Sequence, residues 1–379
     1  MKYPINEPNI SELETSYVLD VLKENWLSAG GKHTRDFEDK LSDYVGVKFS
    51  LAVQSGTAAL HLALKAIGVT DGDNVIIPNY SCGATISAVK QCNAIPVVID
   101  VEADTYGMNI KNLELAIKKY KPKALQFVHV YGFPAQCTSD LVKLCKKYKV
   151  TLLEDAAEAL GMEIDGKKAG TFGDISIFSI RSEKMIGVGE GGVVLTSNDD
   201  LFEKVKELAC RSAPHRSSDS PYWKKYYYNG EGYNYMLPHL LGAVAKGQME
   251  RFETEILAKK VSAGMAFRKV FSNDKDFTLQ KIIPNSKPCF WLNSIVFNTI
   301  KGEAVRSLGQ YLVSKNIEVR SGFLPLSEMP GFNPIKFESQ QNGKHLYGQL
   351  LVLPSSGKLK IDDFEYFYKL IKEFTLKYE

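Results

Sequence analysis

Three short stretches of this chain carry side chains that could do chemistry together. The first is Gln54-Ser55-Gly56-Thr57. Glycine lets the backbone turn tightly, and free N–H groups at a helix start attract a phosphate. Ser55 and Thr57 add hydroxyl donors. The second is Glu154-Asp155-Ala156-Ala157-Glu158-Ala159, directly after the apolar run Val150-Thr151-Leu152-Leu153. An acid at the end of a buried strand is costly without a partner. A pyridinium nitrogen is one such partner, and a carboxylate beside it keeps that ring protonated and an electron sink. The third is Ile177-Phe178-Ser179-Ile180-Arg181-Ser182-Glu183-Lys184, followed by Met185-Ile186-Gly187-Val188-Gly189-Glu190-Gly191-Gly192. Glycine there permits close packing against a flat ring. A lysine partly shielded from water becomes a usable amine nucleophile. Taken singly, each stretch has a plainer reading: Ser55 as a helix cap, Asp155 as a capping aspartate, Lys184 as a solvated surface residue.

The elements between these stretches join them. Strands are expected at 49–53, 74–77, 95–99, 124–130, 151–154, 174–178 and 192–196. Helices are expected at 58–67, ended by Gly68, and at 83–91, 111–119, 139–148 and 199–210. Strands alternating with helices predict an α/β fold with a largely parallel sheet covered on both faces. Ligands bind such sheets at the carboxyl ends of the strands, where all three stretches fall. Residues 212–235 have turn formers, bases and many aromatics but no clean periodicity. A long irregular segment of this kind is usually functional or at an interface. A helical run from about 240 leads out of the first domain. A large domain at 1–250 and a smaller α+β domain at 251–379 follow, the latter with a strand at 290–297 and helices at 303–315 and 361–377.

Composition narrows the class. The chain has 379 residues, 44% of them hydrophobic, and a net charge of +3, which argues against a dedicated nucleic-acid binder. No apolar run reaches the length of a membrane span. The N-terminus has no signal-peptide pattern. Six scattered cysteines contain no Cys-x-x-Cys, as expected for reduced thiols in a cytoplasmic enzyme. No metal site is expected.

The motifs together resemble a known family. Ser55-Gly56-Thr57-Ala58-Ala59-Leu60-His61-Leu62-Ala63-Leu64, Glu154 to Ala159, Phe178-Ser179 with Lys184, Gly189-Glu190-Gly191-Gly192 and Gly232-Tyr233-Asn234-Tyr235 are similar to the DegT/DnrJ/EryC1/StrS sugar aminotransferases. The pattern is nearest to their GDP-perosamine synthase branch. The resemblance runs from Trp26-Leu27-Ser28 to Leu353-Pro354. It implies the type I fold of pyridoxal 5′-phosphate (PLP) enzymes, with Lys184 carrying the cofactor and moving the proton. It further implies Asp155 at the pyridinium nitrogen and Glu158 near the phenolic oxygen or substrate. Ser55, Gly56, Thr57 and Ser179 would hold the phosphate. Asn234 would reach the neighbouring subunit's cofactor in a homodimer with shared sites. The implied substrates are a keto nucleotide sugar and glutamate. Lysine at 184, where the family's dehydratase branch has histidine, favours transamination.

Some positions depart from the family. Cys82 stands where an aromatic usually stacks on the ring, with Tyr80 two residues away. Met236 replaces an arginine that commonly helps with the nucleotide phosphates. Leu324 and Ser327 replace two histidines, Asn293 an aromatic, while Arg320 is kept. Substrate contacts are expected from Ser28, Tyr80, Arg181, Arg320 and Phe323. Arg181, His215, Arg216, Lys224 and Lys225 could supply new phosphate contacts, or simply form a solvated basic face. Two alternatives therefore stand beside the nucleotide sugar. One is a smaller keto substrate, such as a phosphorylated ketose or keto-cyclitol; the other is a non-catalytic PLP-binding regulator.

Overall fold

The computed structural model describes residues 1–213, 221–338 and 340–376. Two helices lead, α1 (Glu12–Glu24) and α2 (Lys32–Val45). Strands and helices then alternate: β1 (Phe49–Val53), α3 (Gly56–Ile67), β2 (Asn74–Pro78), α4 (Gly83–Gln91), β3 (Ile95–Ile99), α5 (Ile110–Tyr120), β4 (Ala124–Val128), α6 (Thr138–Tyr148) and β5 (Thr151–Asp155). A ribbon of β6 (Glu163–Ile164) and β7 (Lys167–Lys168) precedes β8 (Ile175–Ser179), β9 (Gly192–Thr196) and α7 (Asp199–Ala209). Helix α8 (His239–Glu250) passes through a π-helical turn at Phe252–Leu257 into α9 (Ala258–Phe271). Then follow β10 (Phe277–Leu279), β11 (Ser286–Lys287), β12 (Asn293–Phe297), α10 (Glu303–Ser314) and β13 (Arg320–Ser321). Last come β14 (Ile335–Phe337), α11 (Gln341–Gln349), β15 (Leu350–Leu353) and α12 (Ile361–Thr375).

The large sheet has eight strands in the order β1-β9-β8-β5-β4-β2-β3-β14. Strand β9 runs against both neighbours, and every pair from β8 to β14 is parallel. The strands are short and almost wholly buried, as a parallel sheet covered by helices requires. Local chemistry sets the helix ends. The Ser55 hydroxyl accepts from Ala58 N at the start of α3, and Gly68 ends it in the left-handed region, where glycine has no Cβ to clash. Asn109 and Asn198 cap α5 and α7 in the same way.

A four-stranded antiparallel sheet, β10-β12-β15-β13, forms the second layer system, packed with the aromatic faces of α9 and α12. The expected boundary at 250/251 falls at the end of α8, but the chain crosses it in space. Strand β14 joins the large sheet beside β3. Tyr3 pairs with Ile317, and Ser355 N donates to Ile5 O. The expected strand at 290–297 begins only at Asn293. Phe290 sits at φ 53, and the peptides of Cys289 and Leu292 bond to Gly132 and Tyr131. The apolar run 289–292 is a buried loop against the large sheet, where hydrophobicity alone reads as strand. Among the described residues no helix is long and apolar enough to cross a membrane.

Candidate active site

Strands β1, β4, β5 and β8 share one direction, so their carboxyl ends gather on one edge. A cavity of about 540 Å³ opens there. Its wall includes Ser55, Gly56 and Thr57 after β1, Asp155 at the end of β5 with Glu158 beyond it, and Ser179 at the end of β8 with Lys184 beyond it. Trp291, Arg320 and Phe323 close it from the C-terminal half. Another cleft of about 430 Å³, beside Lys146, Lys149 and Lys204, lies toward the opposite end of β5 and has none of these groups.

At one end of the cavity the start of α3 meets the end of β8. A Cβ on Gly56 would lie 3.1 Å from Ser179 Cβ and 3.3 Å from its hydroxyl. Gly192 is tighter still, since a Cβ there would fall 2.5 Å from Ser55 O. These two glycines let three chain segments converge. The result is an α-helix N-terminus with two hydroxyl side chains, Thr57 and Ser179, beside it in the cavity lining. Helix starts of this kind favour anions.

Adjacent residues on β5 point to opposite faces. Glu154 turns away and accepts from the amides of Gly170, Phe172 and Gly173 at 2.7, 2.8 and 3.1 Å. Asp155 turns into the cavity. Its Oδ2 accepts from Gln126 Nε2 at 3.1 Å and Thr85 Oγ1 at 3.4 Å, and its Oδ1 from Ala157 N at 3.2 Å. Burial pushes the Asp155 carboxyl above the usual range, against the pull of Ala157, Gln126, Lys184 and Thr85. A cation placed beside it would relieve that strain on the ionised form.

Lys184 reaches in from the loop after β8. Its Nζ lies 3.5 Å from Glu158 Oε1 and 3.4 Å from the centre of the Trp291 ring. Glu158 is buried, and its other oxygen accepts from Tyr131 N at 2.8 Å. Burial raises the Glu158 carboxyl as well, with the Lys184 charge the main opposing influence. One amine and two buried carboxyls thus share the floor of the cavity.

The mouth is charged. Arg181 contacts Glu190 at 3.2 Å and Glu183 at 3.5 Å, and Arg320 contacts Glu183 at 3.0 Å and Glu318 at 3.4 Å. Burial works to raise the Glu183 carboxyl, but Arg320, Arg181 and Lys184 bring it below the usual range. Both arginines are therefore held by carboxylates of their own chain.

The cavity gathers Ser55, Gly56, Thr57, Cys82, Asp155, Glu158, Ser179, Arg181, Lys184, Arg320 and Phe323. Three expected residues lie elsewhere. Tyr80 is fully buried behind the wall, its hydroxyl 3.1 Å from that of Tyr131. The bend after β2 decides this: β2 ends at Pro78, the bend turns Tyr80 into the core, and Cys82, just before α4, lines the cavity. Ser28 and Asn234 are exposed and do not line their own chain's cavity. Lys224 and Lys225 are exposed on an outer turn, while His215 and Arg216 lie outside the described residues. Sequence reasoning missed Gln126, Thr85, Glu183 and Trp291. Gln126 had a signal, as the lone polar residue in Ala124-Leu125-Gln126-Phe127-Val128. Trp291 had none, because Cys289-Phe290-Trp291-Leu292 reads as ordinary core.

Residues 8–372 match the DegT/DnrJ/EryC1/StrS aminotransferase family. The chain belongs to this family. It is 32% identical over 379 residues to the GDP-perosamine synthase of Escherichia coli O157:H7, covering 99% of each. A putative pyridoxal phosphate-dependent aminotransferase of Bacillus subtilis, EpsN, is 31% identical, with 96% and 93% covered. The fold superposes on the PLP form of a putative sugar aminotransferase, Spr1654 of Streptococcus pneumoniae, with a TM-score of 0.90 at 21% identity, over 99% and 98% of the two chains. The protein is thus a PLP-dependent aminotransferase of the sugar-aminotransferase family. The cavity fits that cofactor on its own chemistry. An anion-favouring helix start, a buried carboxyl in want of a cation, and a lysine amine stand around one space, matching a phosphate, a pyridinium nitrogen and an aldehyde.

Proposed function

We propose that this aminotransferase acts on a nucleotide-linked 4-keto-6-deoxy sugar, with glutamate as amino donor. The observation that carries the reading is end-to-end similarity to a GDP-perosamine synthase, at 32% identity over 99% of both chains. PLP, when bound, supplies an electron sink for charge at the carbon beside the nitrogen. The chain supplies the rest. Asp155 holds the ring nitrogen in its charged form. The start of α3 with Thr57 and Ser179 holds the phosphate. Lys184 carries the cofactor and moves the proton, and Glu158 accompanies the amine at 3.5 Å. Cys82, in the cavity lining, would border the ring in place of an aromatic. Arg181 and Arg320 offer charge to anionic groups of donor and acceptor, once released from Glu183 and Glu190. Asn234 acts across a homodimer, in the partner's cavity.

A second reading, a smaller keto substrate, is favoured by the pairing at the mouth. Both arginines there are already matched by carboxylates, and Met236 adds no charge. Competition separates the two. A nucleotide-sugar enzyme should be inhibited by one of UDP, GDP or dTDP, while its half-reaction with glutamate runs unimpeded. Silence from all three nucleotides would discard the nucleotide-sugar reading and favour the smaller substrate. A yellow protein that fails to convert glutamate to 2-oxoglutarate would point to the regulator.

A further inference from the structure

Lys260 sits near the start of α9 with only 5% of its surface exposed. Among the described residues it makes no ion pair. Its Nζ instead donates to Trp291 O at 2.7 Å and to Ser355 O. A buried lysine without a carboxylate is costly, and burial draws this one down to about 7. Both of its charge states keep at least two N–H donors, so both can hold the two carbonyls.

The first of those carbonyls is the backbone oxygen of Trp291, whose ring lies beneath Lys184. The Trp291 indole Nε1 donates to Glu183 O at 2.7 Å, in the peptide bond that joins Glu183 to Lys184. The same ring has its centre 3.4 Å from Lys184 Nζ. Trp291 is therefore fixed at three places: its carbonyl by Lys260, its indole nitrogen by Glu183 and its face by the lysine amine. Through two of them it touches both ends of Lys184, the backbone and the head group. An ammonium over an indole face is the strongest of the common cation–π pairs.

A lysine that moves a proton must be a free amine during part of each cycle, and its four-carbon stem has many rotamers. A fixed rest position removes that freedom in advance. We propose that Trp291 and Lys260 form a positioning unit for Lys184: Trp291 sets the rest position of the free amine next to Glu158, and Lys260 sets Trp291. The inference rests on the role given to Lys184 above.

The full-length chain, stripped of cofactor, is pulsed with an amine-acetylating reagent and the label on Lys184 is quantified by peptide mass spectrometry. Trp291→Leu should raise the labelling rate of Lys184 by about threefold or more, the equivalent of one lost cation–π contact. Trp291→Phe, which keeps a face but loses the indole donor, should fall between Leu and wild type. Lys260→Met should resemble Trp291→Leu, and Lys260→Gln, which restores an N–H donor pair, should recover most of the protection. Should Lys260→Met fail to fold, the Trp291 pair and Lys260→Gln still decide. Unchanged Lys184 labelling in folded Trp291→Leu overturns the positioning unit. Wild-type labelling in folded Lys260→Met, with Trp291→Leu fast, overturns the part assigned to Lys260. Borohydride reduction of the wild-type holoenzyme separates this from the functional reading. Cofactor fixed to another lysine overturns both, whereas cofactor on Lys184 with unchanged labelling overturns only the positioning.

Discussion

Gln126 and Asp155 lie on neighbouring parallel strands, both buried, and Gln126 Nε2 donates to Asp155 Oδ2. The bond aims the carboxylate before any ligand arrives. Thr85 adds a second donor to the same oxygen. A carboxylate held this way needs little reorganisation to meet a ring cation, which is the setting in which a fixed charge counts most.

Asp155→Asn should therefore leave the fold intact and remove most activity. Asparagine can keep acceptor bonds to Ala157 or Gln126, so the melting temperature should move little. An amide cannot balance a pyridinium, and losing one preorganised group of this kind costs about a hundredfold or more in turnover. Turnover is compared at full cofactor occupancy. Near-wild-type rates would remove Asp155 from the ring.

Gly56→Ala tests the close approach at the other end of the cavity. Its Cβ would press on Ser179 Cβ at 3.1 Å, and overpacking of this type costs roughly 1–3 kcal/mol. The expected signs are a weaker PLP affinity in a fluorescence titration and a lower melting temperature. Adding Ser179→Gly removes the opposing carbon, so the double variant should recover stability while cofactor affinity stays low for want of the hydroxyl. A single variant indistinguishable from wild type would mean that α3 and β8 can separate freely.

Much of this was legible in the sequence, for physical reasons. The strands are short, mostly apolar and set between helices, so β1, β2, β3 and β5 could be read within a residue. The three motifs fell at strand ends, and one cavity collects them. What stayed hidden depends on long-range contacts. Trp291 meets Lys184 across more than a hundred residues of chain, and no local pattern encodes that. Strand β14 joins the large sheet from deep in the C-terminal half, so a linear boundary at 250/251 could not capture it. Arg181 and Arg320 carry the expected charge, but their carboxylate partners were invisible until Glu183 was seen between them.

Glu38 gives a pH signature unrelated to catalysis. Burial pushes its carboxyl up to about 7, although Ala52 N donates to it at 2.7 Å. A carboxyl raised on folding binds its proton more tightly in the folded state. Between the ordinary carboxyl range and about 7, stability from this group falls as pH rises, and the penalty is complete above about 7. Glu38→Gln keeps an acceptor for Ala52 and removes the ionisation. The variant should gain melting temperature over wild type at pH 8 and lose that advantage near pH 5. An equal difference at both pH values would show that Glu38 ionises without cost.

The last prediction concerns Asn234, exposed on its own chain and absent from that chain's cavity. It is held in place by a bridge to Cys210, so its backbone is set while its side chain is exposed. If two copies exchange this residue, each active site joins Lys184 of one chain with Asn234 of the other. Asn234→Ala and Lys184→Ala should each be nearly inactive alone. In a mixed dimer one site would then lose both residues and the other would be whole. Random mixing of equal amounts makes half the dimers mixed, with one good site of two, so activity should return to about a quarter of wild type under two-fold symmetry. Residues acting within one chain predict no return, since every chain in the mixture is defective. Mixed dimers are isolated through two different affinity tags and assayed directly. Isolated mixed dimers without activity, or an Asn234→Ala homodimer that works as well as wild type, would discard the shared site.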